Sequence, residues 1–224
     1  MKDLAIVLLS GGMDSCVVAG LANTHYLLAL LHVNYGQRTE SKELESFAGI
    51  ASHYAVPEER MLISNIDFLR KIGGSSLTDH TIEVQNAPLC KEEIPASYVP
   101  FRNTLFLTIA VSWGEVIGAK KIFIGAVDQD SPGYPDCKPA YYEIFNRLIR
   151  SGTKTTTAIE IETPLIHMSK TEIVKTGISI GAPLQLSWSC YKNTMKACGL
   201  CHSCSLRLKA FQEAGMKDPI AYVE

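Results

Sequence analysis

The sequence has almost no excess charge of either sign, because 21 Lys and Arg residues face 23 Asp and Glu residues, for a net charge of −2. A protein that binds the phosphate backbone of nucleic acids is usually strongly basic, so this balance argues against direct nucleic-acid binding. The chain also lacks any apolar run near the ~20 residues that cross a bilayer, and we expect no membrane segment.

The apolar stretch near the N-terminus is short, carries Asp3 and leads directly into two glycines. We interpret it as a buried strand rather than a signal peptide. The chain has seven cysteines, and without a secretory signal these predict reduced thiols in the cytoplasm, free to bind metal. At 46% hydrophobic residues, the chain can bury one large core, and we expect residues 1–224 to form a single domain.

Apolar strands alternate with helical patterns along most of the chain. After the strand that starts at Leu4, the patterns predict strands at 27–33, 59–64, 121–125 and 159–162, and helices at 39–54, 103–118, 138–150 and 169–176, the last capped by Ser169. Strands joined by helical crossovers indicate an α/β fold with a doubly wound parallel sheet, which binds ligands at the carboxyl ends of its strands. Residues 65–98 interrupt the alternation and are predicted to form a long functional loop.

The most informative motif is SGGMDS at residues 10–15, which follows the first strand and opens a helix. Gly11 and Gly12 lack Cβ atoms, so the backbone can approach a ligand and take up positive φ. Ser10 and Ser15 add hydroxyl donors, and the helix amides are aimed at the same point. The motif has neither the lysine of GxxxxGK[ST] nor the third glycine of GxGxxG. It resembles instead the pyrophosphate loop of ATPases that cleave between the α- and β-phosphates.

A second motif lies near the C-terminus, where four cysteines fall within fifteen residues: Cys190, Cys198, Cys201 and Cys204. Four thiolates at this spacing suit a closed tetrahedral site, and we predict one structural Zn²⁺ held by residues 186–214. An iron–sulfur cluster is the alternative, although the Cys-Pro that completes ferredoxin motifs is missing.

Specific motifs extend nearly from end to end of the chain: LLSGGMDS, NYGQR, GGSSLT, YVPFRN, GYPDCKP, SCY, CGLCHSCSLR and AFQEAGMKDPIAY. With these motifs in this order, the chain resembles the 7-cyano-7-deazaguanine (preQ0) synthases of queuosine biosynthesis. The resemblance implies an adenine-nucleotide α-hydrolase-like fold with a small C-terminal four-cysteine zinc module, and a cytoplasmic homodimer. It also implies a ligase reaction in which 7-carboxy-7-deazaguanine, ammonia and ATP give the 7-nitrile through an acyl-adenylate and an amide, with Mg²⁺ on the phosphates.

The resemblance also suggests roles for individual residues. Ser10, Asp14, Ser15 and Arg102 are the expected catalytic residues. Asp14 either orients Mg²⁺ or caps the helix, and Arg102 binds the substrate carboxylate or a phosphate. The expected nucleotide contacts are Leu8, Leu9, Ser10, Gly11, Gly12, Met13, Asp14, Ser15, Cys16, Val17, Val18, Tyr35 and Gln37.

The expected substrate contacts are Tyr98, Arg102, Asn103, Asp130, Tyr134 and Asp136. Asp130, Tyr134 and Asp136 contact the guanine-like base or stabilise their own turn, and Asn103 could instead cap a helix. Arg38 contacts phosphate or solvent.

The chain departs from the family pattern at four positions near the expected base pocket. Phe101 stands where the family usually has glycine, Val127 where it has asparagine, and Ser131 and Pro132 where it has Tyr-Ser. These changes leave the exact substrate open. A tRNA-modifying thiolase with the same loop is one alternative. A protein-interaction module on a nucleotide-binding scaffold is another.

Overall fold

The computed structural model describes residues 2–86, 94–128 and 134–223. The strands are β1 (Leu4–Leu8), β2 (Leu27–Asn34), β3 (Met61–Asn65), β4 (Lys121–Phe123) and β5 (Glu160–Glu162). The helices are α1 (Met13–His25), α2 (Glu40–His53), α3 (Phe68–Ile72), α4 (Arg102–Ile117), α5 (Pro139–Gly152), α6 (Lys170–Ser179) and α7 (His202–Glu213). Among the described residues, no helix is both long enough and apolar enough to cross a membrane.

The five strands form one sheet in the order β3-β2-β1-β4-β5, and every neighbouring pair is parallel. The chain builds outward from β1 to β2 and β3, then returns to the other side of β1 with β4 and β5. The carboxyl end of β1 is therefore the point at which the strand order reverses, where such sheets bind ligands. This arrangement confirms the predicted α/β fold.

Both faces of the sheet are covered by helices, which explains why its central strands are apolar throughout. Along β1, Ala5 and Val7 belong to the core that contains residues of α1, α2, α6 and α7, whereas Ile6 and Leu8 belong to the core that contains residues of α4 and α5. The period of two along a strand assigns alternate residues to the two cores. The central strand is thereby fixed in register from both sides.

Two helices differ from the sequence predictions. Helix α3 lies within the stretch predicted as a loop, and α7 was not predicted at all. The predicted cap of α6 is confirmed: Ser169 Oγ accepts from the Glu172 amide at 3.3 Å, and the Glu172 carboxylate accepts from the Ser169 amide at 2.8 Å.

Arg38 orders part of the long predicted loop. Its guanidinium donates to the carbonyl oxygens of Ser76, Asp79 and Ile82 at 2.6, 3.0 and 2.8 Å. These three bonds span the GGSSLT motif and the turn after it. Arg38 therefore orders this loop, a structural role that the sequence did not predict.

Candidate active site and metal centre

A cavity of about 280 Å³ lies where β1, β2 and β4 end. Its walls come from the strand ends, the first residues of α1, α4 and α6, and the segment that leads into α7. The residues that line it include Leu8, Leu9, Ser10, Gly12, Met13, Asp14, Ser15, Tyr35, Glu43, Arg102, Asn103, Gly125, Val127, Tyr134, Cys137, Lys170, Trp188 and Tyr191. The cavity therefore joins the glycine-rich loop to Arg102.

The loop between β1 and α1 forms a compact group of donors. Gly12 is the N-cap of α1, and Ser10 Oγ lies 3.1 Å from Ser15 Oγ. The Gly12 amide donates to Ser10 Oγ at 3.2 Å, and Ser15 Oγ donates to the Gly12 carbonyl at 3.0 Å. Two hydroxyls at the positive end of a helix suit an anion.

The two glycines serve different purposes. Gly11 has a φ of +85°, whereas Gly12 has a φ of −74°, so the expectation of positive φ at both is wrong for Gly12. A Cβ on Gly11 would lie 2.7 Å from the Glu43 carbonyl oxygen, and one on Gly12 would lie 3.2 Å from Ser10 Oγ. Gly11 thus fits the loop against α2, and Gly12 leaves room over the hydroxyls.

The predicted nucleotide contacts divide into two groups. From Leu8 to Ser15, every residue except Gly11 lines the cavity. Cys16, Val17 and Val18 are fully buried in the core behind the loop, and burial raises the pKa of Cys16 to about 12. Their side chains pack away from the cavity, so they support the loop from behind.

Asp14 is bound by a lysine for which no motif in the sequence predicts a role in the site. Lys170 Nζ donates to Asp14 Oδ2 at 2.6 Å, and both side chains line the cavity. Asp14 Oδ1 is buried and has no hydrogen-bond partner among the described residues. One carboxylate oxygen is thus held by a cation and the other is available to a ligand.

Arg102 presents a half-buried positive charge to the opposite part of the cavity. It is the first residue of α4, and its Nη1 donates to Tyr35 Oη at 3.0 Å. The guanidinium carbon lies 5.3 Å from the centre of the Tyr35 ring and 5.7 Å from that of Phe106. Arg102 Nε is buried without a partner among the described residues. A guanidinium with an unused donor suits a carboxylate or phosphate.

Asp136 binds the start of α4. Its Oδ2 accepts from the Asn103 amide at 3.2 Å, and Asn103 Nδ2 donates to the Asp136 carbonyl at 3.1 Å. Asn103 is therefore not the cap of α4, whose N-cap residue is Phe101. Asp136 is buried, and its carboxylate orders the start of α4 rather than the turn that contains it.

The remaining predicted substrate contacts surround Tyr134. Tyr134 lines the cavity and shares a 2.7 Å hydrogen bond with Ser97 Oγ. The Tyr98 ring lies behind it, with 5.4 Å between ring centres and 49° between ring planes. Asp130 lies outside the described residues, as do Ser131 and Pro132.

Gln37 holds a carboxylate at the cavity wall. Its Oε1 accepts from the Tyr35 amide at 2.9 Å, and its Nε2 donates to Glu43 Oε2 at 3.0 Å. Thr39 Oγ1 donates to Glu43 Oε1 at 2.8 Å, and burial raises the pKa of Glu43 against the effect of these bonds. Gln37 itself does not line the cavity, and Glu43 was missed because only the fold brings it to the loop.

Two of the departures from the family pattern are visible in the structure. Phe101 has a φ of +59°, in the left-handed region, and is 62% exposed. The resemblance predicts glycine at this position, and the backbone gives the reason, since a left-handed residue with a Cβ costs about 1 kcal/mol or more. Val127 is buried and contributes to the cavity wall.

The four predicted metal ligands come together. The sulfur atoms of Cys190, Cys198, Cys201 and Cys204 all lie within 4.8 Å of one another, and Cys198 Sγ is 3.9 Å from Cys204 Sγ. A tetrahedral site with Zn–S bonds of about 2.3 Å places its sulfurs about 3.8 Å apart. The cluster can therefore hold a metal ion of this type.

Backbone amides stabilise the negative charge that such a cluster needs. The amides of Lys192, Asn193 and Cys198 donate to Cys190 Sγ at 3.4, 3.3 and 3.4 Å. Hydrogen bonds from Cys201 and Cys204, followed by these amides, hold the pKa of Cys190 well below its ordinary value. A thiolate at Cys190 is a ready metal ligand.

The cysteine module also forms one wall of the cavity. Cys190, Tyr191, His202 and Ser203 all line it, and α7 begins immediately after Cys201. The amide of Trp188, two residues before the first ligand, donates to the Gly11 carbonyl at 2.8 Å. Folding around a metal would therefore also shape the site.

The sheet order and the loop at its switch point define an α/β protein of the pyrophosphate-loop class. The same fold occurs in the U34-tRNA thiolase NcsA from Methanococcus maripaludis, solved with its [4Fe-4S] cluster, which superposes with a TM-score of 0.51 over 95% of this chain and 64% of that one, at 16% identity. At this identity the likeness concerns the fold alone.

Sequence comparison defines the family. The family model described as "Queuosine biosynthesis protein QueC" matches residues 4–215, and the chain belongs to that family. It is 59% identical to the 7-cyano-7-deazaguanine synthase of Chlorobium phaeobacteroides (strain DSM 266), over 97% of this chain and 96% of that one. It is 60% identical to the enzyme of the same name from Chlorobium chlorochromatii, over 97% and 95%.

Proposed function

We propose that this chain is an ATP-dependent 7-cyano-7-deazaguanine synthase, which converts 7-carboxy-7-deazaguanine and ammonia to the 7-nitrile. The observation that carries the proposal is the shared cavity of the Ser10–Ser15 anion site and the unsatisfied guanidinium of Arg102. The relatives' name gives the product, and the family resemblance implies the acid as its precursor. The geometry fits an acid that reacts with a nucleotide.

The loop's part in the reaction is to bind the leaving group. A carboxylate is a poor acyl donor, so its oxygen first attacks the α-phosphate of ATP and expels pyrophosphate. Ser10, Ser15 and the amides at the start of α1 bind that pyrophosphate and stabilise its developing charge. These groups are fixed by their mutual hydrogen bonds before ATP arrives.

Arg102 binds and orients the carboxylate of the substrate. Its position over the Tyr35 and Phe106 rings and its bond to Tyr35 fix the guanidinium plane, and its Nε is left for the substrate. Tyr134, backed by Tyr98, provides a ring against which the deazaguanine stacks. Asn103, which also lines the cavity, contacts the substrate, and Asp136 holds Asn103 in place. The expected contact of Asp130 with the base follows from the family resemblance alone.

The acyl-adenylate is first converted to an amide, and the neutral amide is then adenylated in its turn. Ammonia attacks the acyl carbon, AMP leaves with one carboxylate oxygen, and a proton is lost to give the amide. The amide oxygen then attacks a second ATP, and pyrophosphate leaves again. Loss of both N–H protons and departure of AMP with the remaining oxygen leave the nitrile.

Two metal ions fit residues of this chain. The four cysteines would hold one Zn²⁺, which supplies a cross-link that orders the module and its cavity wall. Asp14 Oδ1, buried and unpartnered, would be a ligand for the Mg²⁺ that accompanies ATP and neutralises phosphate charge.

We further propose a cytoplasmic homodimer that acts on small molecules and does not bind nucleic acid directly. The support is the even charge balance, the reduced cysteines and the exposed apolar residues of the adjacent helices α4 and α5, among them Val116, Ile144 and Leu148. A tRNA thiolase is not favoured, because the chain belongs to the QueC family and matches synthases along nearly its whole length. Light scattering after size-exclusion chromatography tests the dimer.

The decisive experiment incubates the purified chain with 7-carboxy-7-deazaguanine, ATP, Mg²⁺ and ammonium, and identifies products by mass spectrometry. We expect the nitrile, AMP and pyrophosphate. Quantitative ADP in place of AMP would overturn the mechanism. Unchanged acid, under conditions in which the chain binds ATP, would overturn the substrate.

A further inference from the structure

The phosphate site has no cation within its own loop. The motif SGGMDS contains one charged residue, Asp14, and its charge is negative. A loop that binds a triphosphate normally pairs its amides with a lysine, as the GxxxxGK[ST] motif does. A carboxylate at the same point repels phosphate unless a cation stands beside it.

Lys170 stands beside it, 156 residues further along the chain. Its Nζ lies 2.6 Å from Asp14 Oδ2, its side chain is 16% exposed, and it lines the same cavity as Ser10 and Ser15. Asp14 Oδ2 is the one hydrogen-bond partner of this ammonium within the described ranges. An ammonium has three donors, so two remain for a ligand.

The fold determines this position from both ends of α6. Ser169 and Glu172 form a capping box that fixes the first turn, in which Lys170 is the first residue. Further along, α6 packs closely on α1, where a Cβ on Gly177 would lie 2.8 Å from Val17 Cγ2. The first turn of α6 is thereby set against the first turn of α1, which begins directly after the glycine loop.

As an extension of the proposed function, we propose that Lys170 is the missing cation of the pyrophosphate loop: its ammonium contacts the phosphate oxygens of ATP and the departing pyrophosphate, and Asp14 positions it. The pair keeps the lysine extended into the cavity before nucleotide binds. Once ATP is bound, the same ammonium balances both the Asp14 carboxylate and the phosphates. The lysine that a P-loop carries in its own motif is here supplied by a distant helix.

The first test is the affinity for ATP in magnesium-free buffer, measured by calorimetry. Removing a charge-assisted hydrogen bond to phosphate weakens binding roughly 10- to 100-fold, so Lys170→Gln should raise the Kd for ATP by that factor. Lys175→Gln, an exposed lysine of the same helix, is the matched control and should leave it unchanged. An unchanged Kd for Lys170→Gln would overturn the proposal.

A double variant separates phosphate contact from simple neutralisation of Asp14. If Lys170 only masks the carboxylate, Asp14→Asn combined with Lys170→Gln should recover wild-type affinity for ATP. If Lys170 contacts phosphate, the double variant should stay at least several-fold weaker than Asp14→Asn alone. Recovery of wild-type affinity for ATP by the double variant would mean that Lys170 only neutralises Asp14, and it would overturn the proposed phosphate contact.

The wild-type chain offers a test that no folding defect can obscure. Brief acetylation with acetic anhydride, read by peptide mass spectrometry, should modify Lys170 less when ATP or pyrophosphate is present, whereas adenosine should not protect it. Lys175 reports the general reactivity. Equal labelling of Lys170 with and without pyrophosphate would overturn the proposal.

These measurements stay separate from the test of the proposed function. A chain that binds ATP through Lys170 but never turns over 7-carboxy-7-deazaguanine would refute the proposed substrate and leave the lysine's role standing. Nitrile formation at wild-type rates by Lys170→Gln would refute the role of the lysine and leave the proposed substrate standing. A wild-type chain that binds neither ATP nor pyrophosphate would refute both.

Discussion

Arg207 and Asp218 form a buried ion pair with two parallel hydrogen bonds: Nε to Oδ2 at 2.7 Å and Nη2 to Oδ1 at 3.0 Å. The two side chains are 1% and 3% exposed. The remaining donors of the guanidinium hold Ser187 Oγ at 2.9 Å and the Leu184 carbonyl at 3.1 Å. The pair and these two bonds thus connect α7 and the C-terminal segment to residues 184–187, which lead into the cysteine module.

Breaking this pair should destabilise the whole protein. Arg207→Met leaves Asp218 buried without its partner, and we expect the free energy of unfolding to fall by about 3–5 kcal/mol in urea titrations. Lys209→Ala, which removes an exposed ion pair from the same helix, should change it by less than about 1 kcal/mol. Equal changes in the free energy of unfolding for the two substitutions would mean that the buried pair contributes no more to stability than the exposed one.

The glycine loop should be sensitive to single added groups. Gly12→Val fills the space above the Ser10 hydroxyl, and Ser10→Ala removes one of the loop's donors, so both should reduce turnover at least ~100-fold with an unchanged melting temperature. Gly152→Val, where no atom lies within 4 Å of the added Cβ, is the control. Near-normal kcat in Gly12→Val would contradict a phosphate site here.

The cysteine cluster should hold one zinc ion per chain. Cys198→Ser or Cys201→Ser should yield protein that is metal-free and poorly soluble, because the segment has little other core, and elemental analysis checks this. Cys137→Ser changes a cysteine outside the cluster, and this variant should keep the full metal content of the wild-type chain. Iron in place of zinc, or full metal content after either cluster substitution, would contradict the assignment.

The sequence was sufficient wherever the determining residues are close together in it. The glycine turn between β1 and α1, the Ser169 cap of α6 and the gathering of the four cysteines each depend on residues within about fifteen of one another, and the structure forms all three as predicted. Their geometry follows from local backbone preferences and ligand spacing. Local physics therefore accounts for this turn, this cap and this cluster.

The parts that could not be predicted depend on contacts between distant residues. Lys170 reaches Asp14 only because α6 packs on α1, and Glu43 reaches the cavity only because α2 covers the loop. Likewise, Asp136 binds the start of α4 across 33 residues. No spacing rule relates such pairs, so their roles appear only in the folded chain.

Arg102 should discriminate between the two acyl substrates. If its guanidinium binds the carboxylate, Arg102→Gln should lower kcat/KM for 7-carboxy-7-deazaguanine roughly 10- to 100-fold and affect the neutral 7-amide much less. Steady-state kinetics with each substrate measures this. Lys217→Gln, an exposed residue beyond the end of α7, is the control for net charge. Equal losses on acid and amide would assign Arg102 to the nucleotide instead.

The oxygen atoms of the carboxylate should report both adenylations. With 7-carboxy-7-deazaguanine labelled by ¹⁸O at both carboxylate positions, the first attack on the α-phosphate transfers one labelled oxygen to AMP. The second, on the amide oxygen, transfers the other. Mass spectrometry should therefore find one ¹⁸O in each of two AMP molecules per nitrile and none in pyrophosphate. Label in pyrophosphate or in inorganic phosphate would exclude attack at the α-phosphate.

The amide tests the second adenylation separately. Unlabelled 7-amido-7-deazaguanine should still require ATP and should give the nitrile without ammonium. Conversion of the amide without ATP would exclude the second adenylation.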